Sequence, residues 1–229
     1  EPFSFAPGSV RGLSRYYAAR AGLDYVSRSV SEVLASALTV TVGLDGTRSD
    51  IPGVPAPDKH FVGVLGQATY ARRLNDAGTE VRARASAQWH SSVAYAGERM
   101  PIGGANSVRG YRETLYLVDN GATGSVEVSQ PFNLSRRSSG RRNFDPGAFT
   151  ISAFVDAAWF ENIEVPDPPR DFIAGAGFAL AWVPSPGFTA RVSWAHNFLD
   201  VRVPGPRDLQ DRGVHFSVTL HPLALLRRN

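Results

Sequence analysis

The feature that most constrains this chain is a strict alternation of apolar and polar residues over positions 79–95. The odd positions carry apolar or small side chains, and the even positions include Glu80, Arg82, Arg84 and Gln88. Successive side chains of a β-strand point to opposite faces, so the pattern predicts one strand with an apolar face and a hydrated face. Strands of soluble proteins average about 5 to 6 residues, whereas a longer run is typical of a strand that crosses a bilayer.

Similar alternation recurs along the rest of the chain. It predicts further strands near residues 17–28, 34–45, 62–70, 122–133, 148–160, 172–184, 187–197 and 212–221. Together with the 79–95 segment this makes about nine strands, and no segment has the pattern of a convincing amphipathic helix. The sequence therefore predicts an all-β, antiparallel fold.

The free-energy cost of burying charge in lipid indicates which face of the strand meets lipid and which meets water. An arginine that faces lipid at the bilayer midplane costs roughly 2 to 4 kcal/mol. A slip of one residue in the 79–95 segment would expose Glu80, Arg82 and Arg84 to lipid together, so we expect the polar face to line water. A transmembrane β-barrel satisfies this pattern. A soluble β-sandwich with a dry apolar core would show the same alternation and stays open on this evidence.

Composition and motifs argue against several kinds of site. The chain has no cysteine, which excludes disulfides, thiolate metal sites and cysteine nucleophiles. No apolar run reaches the roughly 18 residues of a transmembrane helix. The five histidines lack metal-ligand or triad spacing, and Gly-x-Ser-x-Gly, phosphate-loop and His-Glu-x-x-His motifs are missing. We therefore predict no catalytic residue, no cofactor-binding residue, no metal ligand, no cofactor and no enzymatic activity.

The charge pattern does not indicate a nucleic-acid partner. The net charge is only +3, and the arginines cluster at Arg136, Arg137, Arg141 and Arg142 and again at Arg227 and Arg228. A nucleic-acid surface would interleave such charges with stacking aromatic residues. We interpret the first cluster as a solvated turn, with contact to periplasmic domains or anionic lipid as the alternative.

The longest connector, residues 97–121, contains the motif Pro101-Ile102-Gly103-Gly104-Ala105-Asn106-Ser107-Val108-Arg109-Gly110-Tyr111. Asp119-Asn120-Gly121 and Ser125-Val126-Glu127 follow it. The pattern resembles the loop signature of the BamA-like superfamily of polypeptide-transporting outer-membrane β-barrels, whose core is Val-Arg-Gly-Phe/Tyr. Its flanking residues are more similar to the two-partner secretion branch (TpsB), the haemolysin-activator and haemagglutinin transporters.

This resemblance implies a loop that folds back into the barrel and an arginine that pairs with a wall motif of the form Phe-x-Asp-x-Gly. The lumen-loop motif is then Gly103, Gly104, Ser107, Val108, Arg109, Gly110 and Tyr111. The wall motif is Phe154, Asp156 and Ala158, with alanine in place of the final glycine. Arg109 and Asp156 are the predicted pair, because a guanidinium can bind one carboxylate through two parallel hydrogen bonds.

The resemblance also implies the place of this chain in a larger protein. It corresponds to the C-terminal portion of the barrel, about nine strands of a sixteen-stranded barrel, and residues 1–229 form one unit. We expect N-terminal periplasmic domains and the first strands upstream of Glu1.

The function implied by the resemblance is secretion of a partner exoprotein through the lumen, without nucleotide hydrolysis, in the outer membrane of a Gram-negative cell. The lumen-lining residues are Glu80, Arg82, Arg84, Gln88, Glu127 and Arg191. The expected partners are the secreted exoprotein and outer-membrane lipid or lipopolysaccharide, and the oligomeric state stays open. Three alternatives remain: an assembly and insertion factor of the same superfamily, a passive porin or structural barrel, and a barrel-type hydrolase.

Overall fold

The computed structural model describes residues 15–47, 55–134, 145–164, 168–201 and 209–221. The basic turn at Arg136, Arg137, Arg141 and Arg142, the N-terminal residues 1–14 and the tail from Pro222 lie outside these ranges. Within them, no helix is long and apolar enough to cross a bilayer.

The described residues form one antiparallel sheet of nine strands and a separate sheet of two. The strands are β1 (Tyr16–Arg28), β2 (Glu32–Gly46), β3 (Val62–Arg73), β4 (Glu80–His90), β5 (Met100–Ile102), β6 (Tyr116–Val118), β7 (Asn120–Asn133), β8 (Ala148–Glu161), β9 (Phe172–Ser185), β10 (Phe188–Asn197) and β11 (Val214–Leu220). The large sheet has the order β1-β2-β3-β4-β7-β8-β9-β10-β11, so neighbours in sequence are neighbours in space apart from the β5–β6 excursion. The prediction of an all-β, antiparallel fold is confirmed.

The two faces of the large sheet differ in polarity as the alternation predicts. Large apolar side chains are exposed along one face, and they include Tyr17, Leu23, Leu38, Trp89, Val126, Val155, Phe178, Trp194 and Phe216. Polar side chains are buried on the other face, and they include Thr41, Ser125, Asp156, Ser193 and His215. Within the described ranges no second layer covers the apolar face, as the dry core of a soluble sandwich would require. An apolar face of this size fits lipid, and the polar face fits a hydrated lumen.

The 79–95 segment is shorter as a strand than the alternation predicts. Strand β4 ends at His90, and the chain then turns inward. Alternation puts Val93 and Tyr95 on the apolar face with the other odd positions, but in the structure both are almost fully buried, so that part of the prediction is wrong. The Tyr95 ring stacks on Tyr16, with ring centroids 4.7 Å apart, and packs on Phe61. Burial of these aromatic rings stabilises the inward turn. Local alternation does not predict this turn, because the packing partners lie far away in the sequence.

A pair of substitutions on β4 tests the assignment of the faces. Ala85 lies on the apolar face beside Ala68 and Gly124, whereas Ser86 lies on the polar face beside Gln67 and Thr123. We expect Ala85→Arg in the intact protein to lower the free energy of unfolding in lipid vesicles by about 2 to 4 kcal/mol, because it puts a charge in lipid. Ser86→Arg, the matched control, should cost much less. Equal losses in urea titrations would contradict the assignment.

Candidate functional site

The segment between β4 and β7, residues 91–119, packs against the polar face of the large sheet. Its short β5–β6 hairpin, which the sequence did not predict, pairs Met100 with Val118 and Ile102 with Tyr116. The loop and the wall share an apolar cluster, which consists of Met100, Ile102, Val108, Tyr111, Val118, Ala158, Phe160 and Ile173. Burial of this cluster holds most of the loop against β8 and β9.

Three glycines shape the loop around its arginine. Gly103, Gly104 and Gly110 have φ angles of 99°, 94° and 101°, in a region that side-chain-bearing residues rarely adopt. A Cβ at Gly110 would also lie 3.3 Å from the Cβ of Ala195 on β10. The glycines therefore allow the sharp turns and the close approach to the wall on which the position of Arg109 depends.

Arg109 and Asp156 lie together in a buried ion pair. The Nε of Arg109 donates to Oδ2 of Asp156 at 2.7 Å, and Nη2 donates to Oδ1 at 2.8 Å. The backbone N–H of Arg109 donates to the same Oδ2 at 3.0 Å. The two side chains are only 5% and 0% exposed. This bidentate contact fixes both the position and the orientation of the guanidinium.

Two further wall residues bind the same guanidinium. Its Nη1 donates to Oε2 of Glu127 at 2.6 Å, and its Nη2 donates to Oγ of Ser125 at 3.1 Å. The ring of Phe154 lies below it, with the ring centroid 3.4 Å from Cζ of Arg109. Burial opposes the charge of Arg109, but the bonds to Asp156 and Glu127 prevail and raise the pKa of Arg109 above its ordinary value. Arg109 therefore stays charged in this site.

Additional contacts tie the loop to β9, to the chain just after β10, and to β11. The hydroxyl of Tyr111 lies 3.1 and 3.0 Å from the carbonyl oxygens of Ala174 and Leu199 and shares its one hydrogen between them. Burial raises the pKa of Tyr111, so the phenol keeps the hydrogen that it donates. The N–H of Gly110 donates to Nε2 of His215 at 3.3 Å.

A second group of contacts lies farther along the loop and at its base. Arg112 forms a two-bond ion pair with Asp211, at 2.6 and 2.5 Å. Asp119 is fully buried and accepts hydrogen bonds from the N–H groups of Ala94 and Ile163 and from Nε of Arg99. The Asp119 contacts join both ends of the loop to each other and to the chain that follows β8, whereas the Arg112 pair joins the loop to the segment before β11.

The remaining predicted residues lie on or near the polar face. Glu80 and Arg82 pair with each other at 2.8 Å at the start of β4. Gln88 donates to the backbone oxygens of Glu98 and Asp119. Arg191 donates to Oε1 of Glu127 at 2.7 Å, so that carboxylate lies between two arginines.

Two residues of the predicted motifs do not contact the ion pair, and three residues that the sequence did not single out as loop contacts do contact the loop. Ser107 accepts a bond from the Gly103 N–H at 3.3 Å and so closes the loop on itself. Ala158 lies in the apolar cluster and not beside the ion pair. His215, Asp119 and Asp211 were missed as loop contacts. The alternation of residues 212–221 puts His215 on the polar face, but nothing in the sequence indicates its partner. Within the described ranges no group of three or more possible ligands could hold a metal ion.

Substitution of Arg109 tests whether this ion pair fixes the loop. Breaking a buried pair costs about 3 to 5 kcal/mol, because the remaining carboxylate stays buried without its partner. This chain has no cysteine, so spin labels can be attached to cysteines introduced at Asn106 and Asp76 in a version of the intact protein without other cysteines. We expect Arg109→Ala to broaden the distance distribution between the labels. Arg191→Ala, which removes only one arginine from Glu127, should leave the distribution narrow. An unchanged distribution in Arg109→Ala would contradict the role of the pair.

Comparisons with known proteins agree with this fold. The family model of the haemolysin secretion/activation proteins ShlB/FhaC/HecB matches residues 13–180, well over half of the chain. CdiB from Escherichia coli is similar in structure, with a TM-score of 0.63 and 19% identity, over 90% of this chain and 36% of that chain. A BamA structure from Haemophilus ducreyi, which lacks POTRA domains 1–3, matches with a TM-score of 0.55 and 17% identity, over 89% of this chain and 41% of that chain.

This chain spans less than half the length of either matched structure. At these identities the structural likeness shows the fold, and the family model carries the assignment. No curated protein matched. The chain belongs to the haemolysin secretion/activation protein family ShlB/FhaC/HecB, and its sheet is part of a β-barrel of the bacterial outer membrane.

Proposed function

We propose that the protein is the outer-membrane transporter of a two-partner secretion system, which passes an exoprotein through the barrel lumen without nucleotide hydrolysis. The observation that carries this proposal is the Arg109 loop, which lies on the polar face and is held there by ion pairs and hydrogen bonds. A loop inside a lumen suits a transporter, because the position of the loop controls whether a polypeptide can pass through the barrel. The family name, which describes secretion and activation of haemolysins, supports the same function.

The polar face is suited to an extended polypeptide. It presents carboxylates, guanidinium groups, hydroxyls and amides within one sheet, and a passing backbone can exchange hydrogen bonds among such groups and water. Charges of both signs alternate there, for example Arg82 opposite Glu127 on the next strand. A lumen of mixed charge can make contacts with segments of either charge, which suits a long and varied substrate. We propose that Glu80, Arg82, Arg84, Gln88, Glu127 and Arg191 line this path.

We also propose that the loop moves when the substrate passes. Its contacts with the wall are non-covalent and concentrated at Arg109, Tyr111 and Arg112. Loss of these contacts has a cost that substrate binding must offset, so the loop can favour a closed path at rest. Folding of the exoprotein outside the cell can make the movement directional, and we expect no catalytic turnover.

The barrel requires more strands than this sheet provides. Strands β1 and β11 lie at its two edges and have no further partner among the described residues. Lipid cannot satisfy the hydrogen-bonding groups of an open strand edge. We propose that additional strands, together with periplasmic domains that capture the exoprotein, complete the protein.

The main alternative is an assembly factor that inserts other barrels into the membrane. The structural similarity to BamA supports this alternative, but the family model favours secretion. A passive porin is an alternative of another class. It offers no reason for a loop arginine that is shared between two wall carboxylates.

Secretion by an Arg109 variant separates these functions. We expect Arg109→Ala in the intact transporter to reduce the exoprotein in the culture medium at least tenfold, a change equivalent to about 1.4 kcal/mol or more. Asp156→Ala should have a similar effect, because it removes the same pair. Arg73→Ala, at the end of β3, is the matched control and should secrete normally. The exoprotein is measured in medium and periplasm at equal transporter abundance. Full secretion by both pair variants would contradict the proposal.

A further inference from the structure

We propose that the cavity beside the Arg109 loop is a binding site for a carboxylate of the transported polypeptide, with Arg84 as its central residue. This inference rests on the proposed function and adds a preferred chemistry for the substrate. The cavity has a volume of about 350 Å³ and lies between the loop tip and β4, β7, β10 and β11. Its lining includes Arg82, Arg84, Asn106, Ser125 and Arg191.

Arg84 is placed beside the loop anchor by the register of the sheet. It lies opposite Ser125 on β7, and Ser125 lies opposite Asp156 on β8. The three residues therefore form one row across the polar face, with the small serine in the middle. Arg84 borders the cavity on one side of this row, and Arg109 covers Asp156 on the other.

The ion pairs of the neighbouring residues leave Arg84 as the surplus positive charge. Arg109 takes both oxygens of Asp156 and one of Glu127, and Arg191 takes the other oxygen of Glu127. Arg82 pairs with Glu80. Arg84 makes no hydrogen bond or ion pair with any residue that the structure describes, although it is half-buried. A guanidinium that is partly removed from water and lacks a partner attracts an anion strongly.

Ser125 adds a hydrogen-bond donor next to this charge. Its Oγ accepts the bond from Nη2 of Arg109, so its own hydroxyl hydrogen is available to a ligand. Asn106, at the exposed loop tip, contributes an amide to the same cavity. A planar guanidinium and a hydroxyl side by side match the two oxygens of a carboxylate. Asp or Glu side chains of an extended polypeptide would present that group at the right place.

The site would also couple substrate binding to the loop. Ser125 contacts the guanidinium of Arg109, and Asn106 lies three residues before it in the loop. A carboxylate on Arg84 and Ser125 would compete with Asp156 and Glu127 for the arginines of this face. An acidic segment of the substrate is thus the part best placed to loosen the loop.

Binding of two capped peptides to the intact transporter in detergent tests the proposal. The probes are acetyl-Gly-Glu-Gly-Glu-Gly-amide and its glutamine twin, which differ only in their carboxylates. We expect wild type to bind the glutamate peptide about tenfold more tightly than the twin. Arg84→Gln should abolish this preference. Arg84→Lys should retain part of it, because lysine keeps the positive charge but lacks the two parallel N–H donors of a guanidinium. Arg73→Gln, outside the cavity, is the matched control and should bind as wild type does.

The remaining outcomes separate this site from its rivals and from the proposed function. A glutamate preference that survives in Arg84→Gln overturns the proposal, and so does equal competition by acetate at matched carboxylate concentration. A third outcome is that Arg84→Gln changes the distance between the spin labels at positions 106 and 76 but leaves the preference for the glutamate peptide intact. Arg84 would then position Asp156 and not bind a ligand, and this outcome also overturns the proposal. Secretion by wild type is measured separately, so a failure of the transport function does not resemble a failure of this site. Each variant is checked for folding by gel electrophoresis, since a folded barrel migrates differently before and after heating.

Discussion

The guanidinium of Arg109, shared among two carboxylates, a hydroxyl and an aromatic ring, is the interaction on which the site depends. The wall carboxylate of Asp156 is almost fully buried and requires a cation, and the loop supplies it. Neither part is therefore stable without the other: without Arg109 the wall would hold an unpaired charge, and without the wall the loop would lack its anchor. Together with the apolar cluster, this mutual dependence holds a loop of nearly thirty residues against the polar face of the sheet.

Small residues on the wall make this close contact possible. Gly175 lies opposite Asp156 in the sheet, and a Cβ there would lie 2.6 Å from the backbone oxygen of Arg109. The room beside the loop backbone is thus provided by β9. Ala158, which replaces the final glycine of the wall motif, packs in the apolar cluster and leaves the ion pair unobstructed. The departure from the family pattern is tolerated because a methyl group at that position is buried among apolar side chains.

The loop is anchored by two kinds of contact, which suit different purposes. The apolar cluster around Val108 and Tyr111 is non-directional and tolerates small shifts. The ion pairs of Arg109 and Arg112 are directional, and other charges can compete for them. The polar anchors are therefore the part of the loop contact with which other charged groups can compete.

The sequence by itself determined the all-β fold, the two faces and most strand positions, because alternation reports directly which residues of a strand share a face. Resemblance to a family motif, and not periodicity, supplied the pair of Arg109 with Asp156. Only the tertiary structure decided that β4 ends at His90, that Val93 and Tyr95 turn inward, and that His215 and Asp119 contact or anchor the loop. These outcomes depend on contacts between segments far apart in the chain, and local alternation carries no information about which distant residues meet.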